Sequence, residues 1–532
     1  MDLQKSLQRA FDHLQAGVPA QCVKTCNDVL AESPGLIQAL FLRGCAAYQT
    51  GDLARSVDDL QIVYNNYPQH RHAAYNLGRA LRTAGRFDDA LAPLESAIGE
   101  DELAVPARYE LAVCLTRLRR RPEAIEHYRA ILKRMPENLQ VAANLASLLE
   151  RENRLEEAVH WVCRSLELDP DNETALMTRA TLDRRTGKIA EAITGLRSLI
   201  KRIDNPVNRS IAWNQLGQCH ESREEWDDAY NAFSESNHIL RELGPASNPD
   251  PQGPHSLTTL ARIHDWLKSR PLAAWNEYPT DNGSKLAFLV GFPRSGTTLL
   301  DRMLGQHPDI EVLEEKSLFS SLHQDWSIPG TLEALSRIHE AQVRDAQEIY
   351  RQAMSRHRRH PQRSLVIDKL PLNLAYLFLI HRLFPTAPVI FLKRHPMDVC
   401  LSCYFQAFEL EASMAYFLQI EQTARYYDAV MQVAMQSMEQ IRNPLHELRY
   451  EQLVAEPKSI LESLLKFLGF ELHESMLDYQ RWGKAEASNT PSYQQVSQPA
   501  HTRSVGKWTN YAKQLEPVSA LLAPWVKRLG YQ

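Results

Sequence analysis

Two periodicities divide the chain. As far as about Leu240, apolar and polar positions follow a helical pattern, which predicts a succession of amphipathic helices. Within it, small residues stand at Ala10, Gly44, Gly78, Ala112, Ala146 and Ala180, each 34 residues after the last. A second small position keeps the same register at Cys22, Ser56, Ala90, Ala124, Ala158 and Ala192. Prolines close units at Pro34, Pro68, Pro136 and Pro170, and after a three-residue insertion near Asn205 the register resumes with Gly217 and Ala229. Beyond residue 284 the pattern changes. Short strands, apolar at about 286–290, 365–368 and 388–393 and more polar at about 446–450, alternate with helical stretches, which predicts an α/β domain built on a central parallel sheet.

A 34-residue helix–turn–helix period is the signature of tetratricopeptide repeats, and the units resemble that family, most clearly LGRALRTAGRFDDALAPLESAI at 77–98. Small residues let the two helices of a unit approach closely, and Gly51 and Gly85 stand where the turn between them needs a permissive backbone. About seven units predict an all-α superhelix over 1–243, each unit touching its neighbours. Such a groove binds peptides or proteins, and no catalytic cluster stands out in it. His13, His70, His72 and His220 read as ordinary side chains, and Cys22 with Cys26 as one helix face. Glycine and proline at 244, 245, 249, 251, 253 and 254 break the pattern. An amphipathic helix with Leu257, Leu260, Ile263 and Leu267 follows, so 244–283 is expected to connect the repeats to a domain at 284–532.

Composition narrows the classes. With 532 residues the chain is too long for one ordinary domain, and 44% hydrophobic with 23% charged residues is a globular balance. A net charge of −5 argues against nucleic acid as partner. The apolar runs fall short of a membrane span, and MDLQKSLQRAFDHL lacks the apolar core of a secretory leader. The eight cysteines are too scattered for a disulfide scaffold, so a reducing cytoplasm is expected. Cys400-x-x-Cys403 has no second pair at zinc-finger spacing, so neither metal nor redox chemistry is expected there.

The candidate chemistry starts where LAFLV at 286–290 runs into GFPRSGTT at 291–298 and then a helical pattern. Strand, glycine-bounded loop and helix form the arrangement in which amides and a helix N-terminus cradle a phosphate. The spacing is that of a P-loop, except that Thr297 stands in place of the lysine that serves β- and γ-phosphates. ATP hydrolysis is therefore disfavoured, and Arg294 supplies a planar cation instead. No acidic pair is read after a strand in the manner of a Walker B site, so no metal is expected.

PRSGTT at 293–298, continued by His307-Pro308-Asp309 and Glu314-Glu315, is similar to the phosphosulfate loop of PAPS-dependent sulfotransferases, and to the tyrosylprotein sulfotransferase branch in particular. The resemblance implies a P-loop-like domain that uses the donor PAPS (3′-phosphoadenosine 5′-phosphosulfate). Arg294, Ser295, Gly296, Thr297 and Thr298 would form the donor loop, and Glu315, 21 residues after Arg294, would be the catalytic base. It also implies a catalytic Lys369 in the K-x-P context ending at Pro371, and a 3′-phosphate site of Arg394 and Ser402. Tyr450 would lie near the nucleotide, and the closing segment would bring Ser492 to the catalytic centre and Lys507 to the donor. Two positions depart from that branch: Gln406 stands where it carries an arginine, and Ser317 where it carries a basic residue facing acidic substrate. The expected reaction is sulfuryl transfer to an acceptor hydroxyl, a tyrosine of a protein recruited by the repeats. A glycan or small phenol as acceptor, an adaptor with an inactive nucleotide module, and another nucleotide-dependent enzyme are the alternatives. The run at 356–360, RHRRH, reads as a solvated helix end, and His307 as part of a turn.

Overall fold

The computed structural model describes residues 2–244, 250, 253–269, 272, 285–319, 331–335, 337–408, 414–478 and 504–531. The chain falls into two compact units, Met1–Leu182 and Asp183–Gln532.

The first unit is a stack of antiparallel helix pairs, beginning with Leu3–Gln15 and Pro19–Glu32 and repeating at the predicted period. The small positions are the closest approaches. A Cβ on Gly44 would stand 2.7 Å from Leu60 Cγ, and one on Gly78 would stand 2.4 Å from Leu94 Cγ. Ala90, Ala124 and Ala158 of the second series are fully buried. The turns share a further periodicity. Left-handed backbone recurs at Gly17, Gly51, Gly85, Arg119, Asn153 and Gly187, at the repeat spacing, and again at Glu224 after the insertion. Four of these seven are glycine; Arg119, Asn153 and Glu224 adopt φ of 63°, 60° and 61° although each carries a Cβ.

The second unit is centred on a five-stranded parallel sheet in the order β2-β3-β1-β4-β5. The strands are β1 (Lys285–Val290), β2 (Ile310–Glu314), β3 (Leu365–Lys369), β4 (Val389–Lys393) and β5 (Leu445–Arg449). Alternate residues feed two cores. Phe288, Val290, Val366 and Phe391 pack on one face, Ala287, Leu289, Ile367 and Ile390 on the other. Both faces are covered there, which is why β1, β4 and the first three residues of β3 read as apolar runs.

β2 is the strand that periodicity does not show, and its position corrects one expectation: the Glu314-Glu315 pair does close a strand. Glu311 lies buried on this edge strand and accepts from Arg358 Nε at 2.9 Å and from the amides of Arg359 and His360 at 2.6 and 3.0 Å. Burial opposes the charge, but these donors hold the Glu311 carboxylate below its ordinary pKa. The 356–360 run is thus a clamp on β2 rather than a purely solvated helix end.

The last repeat pair, Pro206–Ser222 and Trp226–Arg241, packs inside the second unit. Phe233 stacks on Phe405 at 4.1 Å. Asn214 Nδ2 donates to the Phe405 carbonyl at 2.9 Å and Asn237 Nδ2 to that of Tyr404 at 2.8 Å. Those carbonyls end the helix Pro396–Phe405, where no intrahelical donor is left for them.

Two outcomes follow. Arg119→Gly and Glu224→Gly should each stabilise by about 0.5–1 kcal/mol, the left-handed penalty of ~1–2 less the entropic cost of glycine. A lowered Tm for both would contradict the turn geometry. A fragment beginning at Asp183 should fold, whereas one beginning at residue 244 should melt lower, because it loses the Phe233 stack and both asparagine caps. Equal melting would show that the pair contributes nothing to the unit.

Candidate active site

The loop between β1 and the helix Thr297–Gly305 turns sharply because two of its residues are left-handed, Arg294 at φ 70° and Gly296 at φ 100°. Alternation of this kind turns successive amides to one side, a concavity suited to an anion. Gly296 has no alternative: its Cβ would stand 2.3 Å from Tyr450 Cδ2. Ser295, Thr297 and Thr298 are buried. Tyr450 packs its ring on the loop, and the Arg394 guanidinium lies over that ring at 4.7 Å.

Arg394 follows β4 and joins three segments distant in sequence. Nη1 donates to the Arg294 carbonyl at 3.0 Å and Nη2 to the carbonyl of Ser504. Its Nε is buried without a hydrogen-bond partner. Ser402, on the helix Pro396–Phe405, accepts from Arg294 Nε at 3.2 Å. Burial pulls the Arg294 guanidinium down to about 10, and neighbouring Arg394 adds to the fall. Two arginines and a serine hydroxyl therefore converge beside the loop, with a buried donor left over. That arrangement fits a second phosphate.

On the other side of β1 the register pairs Glu314 with Lys369 across β2 and β3, and the Glu315 amide donates to the Lys369 carbonyl at 2.8 Å. Lys369 is fully buried. Its Nζ stands 3.0 Å from Glu315, 3.5 Å from Asp301 and 3.7 Å from Glu314. Burial alone would lower its pKa, but Asp301, Glu315 and Glu314 together hold it above the ordinary value. Glu315 is exposed and left-handed at φ 50°, a strained conformation for a residue with a Cβ. Strain at a carboxylate beside a buried cation is a mark of function more than of stability. The acidic pair after β2 thus faces an ammonium.

The structure brings Arg294, Ser295, Gly296, Thr297, Thr298, Arg394, Ser402 and Tyr450 together around the loop, and Glu315 with Lys369 next to it. Ser492 lies outside the described residues. Lys507 is turned elsewhere: its ammonium pairs with Glu221 of the last repeat and lies 5.8 Å from the Phe405 ring. Its segment is nonetheless pinned to the site. Asp398 accepts from the amides of Gly506 and Trp508 at 2.7 and 2.8 Å, and Tyr511 donates to Glu221 at 3.0 Å. Cys400 and Cys403 are buried, and Cys403 donates to the Pro293 carbonyl at 3.3 Å. Sequence reading missed Asp301, Glu221 and Asp398. The only signal for Asp301 was one acidic residue among the apolar positions Leu300, Met303 and Leu304 of the loop helix.

Residues 287–474 match the family model described as the sulfotransferase family, and 41–105, 81–136 and 109–173 match the tetratricopeptide repeat. A protein of Aquifex aeolicus described as uncharacterized is 24% identical over 93% of this chain, which spans 65% of that relative's length. Protein-tyrosine sulfotransferase 2 of Gallus gallus is 27% identical over 48% of the chain and 71% of its own length. Protein-tyrosine sulfotransferase 1 of Homo sapiens is 29% identical over 46% and 69%. Among the described residues no helix is long and apolar enough to cross a membrane.

Gly296→Ala tests the loop. The added methyl meets the Tyr450 ring and a left-handed backbone, so a loss of about 2 kcal/mol or more is expected in thermal unfolding. The double variant Gly296→Ala/Tyr450→Ala should regain part of it; no recovery would mean that the ring is not the obstacle.

Proposed function

We propose that the sheet domain transfers a sulfuryl group from PAPS to an acceptor hydroxyl, and that the acceptor is a tyrosine of a protein recruited by the repeats at 1–243. One juxtaposition carries the reading. An exposed carboxylate, Glu315, and a buried ammonium, Lys369, lie 3.0 Å apart at the carboxyl ends of neighbouring strands, beside a phosphate loop whose cation is an arginine. Ligands of open α/β sheets bind at that edge.

A phenol is largely protonated at neutral pH, with a pKa of ~10. Glu315 takes the hydroxyl proton as the oxygen attacks sulfur. Lys369 stabilises the bridging oxygen as the bond from sulfur to the 5′-phosphate breaks, and Ser492 supplies a further hydrogen bond there. The new bond joins acceptor oxygen to sulfur, and 3′-phosphoadenosine 5′-phosphate (PAP) leaves. The loop amides and Arg294 hold the 5′ end, while Arg394 and Ser402 read the 3′-phosphate, the unpartnered Nε of Arg394 being one donor for it. Lys507 serves the donor through the segment it anchors. Positioning and fixed charge dominate such a transfer.

The relatives named as protein-tyrosine sulfotransferases support a tyrosine acceptor. Ser317, where the tyrosylprotein branch carries a basic residue, favours a glycan or small phenol as the second reading. Incubation with labelled PAPS and identification of the labelled species separates them.

Calorimetry should show PAP binding more tightly than ATP, and ATP binding as tight as PAP would sink the donor assignment. Arg394→Ala should weaken PAP binding by about 2–4 kcal/mol, the usual cost of breaking a charge-assisted contact. Glu315→Gln should bind PAP normally yet lose roughly 10²–10⁴ in kcat, with Glu314→Gln losing less. The reverse order would place the base on the wrong residue.

A further inference from the structure

Asp301 lies one turn into the loop helix, with its side chain 11% exposed. Its carboxylate faces Lys369 at 3.5 Å, and the same ammonium is shared with Glu314 and Glu315. Four charged groups, three negative and one positive, therefore meet at the point where an anionic donor must reach Lys369. Carboxylates crowded into one site do not all stay ionised when another negative charge is added. Glu315 has its side chain 35% exposed and is the most easily hydrated of the three; Asp301, at 11%, is the least.

We infer that Asp301 is a positioning residue of this site: above neutral pH it binds Lys369 as a carboxylate in the free protein and takes up one proton from solvent when the donor nucleotide is seated, releasing Lys369 toward the bridging oxygen. The inference rests on the donor reading above. Its charge balance is simple. The proton comes from buffer to Asp301 Oδ, cancels one negative charge beside the incoming phosphate, and returns to buffer when the nucleotide leaves.

The surroundings of Asp301 agree. Burial pushes its carboxyl up to about 7; Lys369 opposes the rise, Glu314 adds to it and Arg302 of the same helix opposes it. The facing groups are Glu314 from β2, Glu315 just after it, and Lys369 from β3. The short turn Glu474–Leu477 contributes Met476 to the core shared with the loop helix. His307, just beyond that helix, has its ring nitrogens at the Glu471 carbonyl and the Asp309 amide. The sign follows from the raised value. Below about 7 the free protein already carries the proton, so binding takes up none; above it, binding must recruit one, and affinity falls as pH rises.

The test is calorimetry with PAP in two buffers of different ionisation enthalpy at pH 8, on wild type, Asp301→Asn and Glu314→Gln. Wild type should take up about one proton more than Asp301→Asn, the number for a single titrating group. Its Kd should rise about tenfold more per pH unit above neutrality than that of the variant. The pH profile of kcat/KM for the donor should flatten on its alkaline side in Asp301→Asn. Equal proton counts and equal slopes in both proteins overturn the inference while leaving the donor reading intact, and so does loss of the uptake in Glu314→Gln alone. Failure of wild type to bind PAP overturns the donor reading itself. Asp301→Ser replaces the amide variant if the latter does not fold, and absence of any uptake by wild type at pH 8 is decisive without either.

Discussion

The site is organised by the burial of one positive charge. Lys369 ends a central strand with its ammonium out of water, and a cation so placed is tolerated only when carboxylates surround it. Three elements supply them: the loop helix gives Asp301, the last residue of β2 gives Glu314, and the strained residue after it gives Glu315. Because β2 and β3 are in register at Glu314 and Lys369, the pairing of the strands and the pairing of the charges are one constraint. A slip of β2 by one residue would send Glu314 to the opposite face and leave the ammonium without one of its partners.

A second cation does the same on the far side of β1. Arg394 holds the Arg294 carbonyl, the Ser504 carbonyl and the Tyr450 ring, so the loop, the closing segment and the end of β5 meet at one guanidinium. The helix beginning just after it is capped at its other end by Asn214 and Asn237. The last repeat pair therefore bears on the surroundings of Arg394 through the C-terminal end of a single ten-residue helix, and through Glu221 on the closing segment.

Much of this was legible in the chain. The small positions are sterically forced, so their spacing survives wherever the helices approach, and the loop with Arg294, Arg394 and Ser402 is a local pattern next to buried apolar strands. What was illegible depends on partners far away. IEVLE of β2 sets two acidic residues among three apolar ones with no period of two, and its inward Glu311 is acceptable only because Arg358 and two amides arrive from residues 358–360. Asp301 looks like a solvent-facing helix residue until Lys369 is placed against it. Lys507 sits at the position that the resemblance marks, but Glu221, 286 residues earlier, takes its ammonium. The turns at Arg119, Asn153 and Glu224 show the opposite limit: the backbone keeps its conformation where the sequence no longer advertises it.

The helix pair at Pro206–Ser222 and Trp226–Arg241 has a consequence for biosynthesis. Helices of a repeat find their partners among residues close in sequence, so they form early, whereas a parallel sheet needs distant segments. β1 cannot acquire both neighbours until β4 has been made, and the carbonyls that Asn214 and Asn237 cap lie 191 and 167 residues further along the chain. At ribosomal speeds of about 5–20 residues per second, that gap lasts roughly 10–40 s. Throughout it, Phe233 and the two asparagines form a finished face with nothing yet translated to cover it. The nascent chain carries its own docking template ahead of the domain that will use it, and during that interval the Phe233 ring and the two amide groups are open to a chaperone or to another chain.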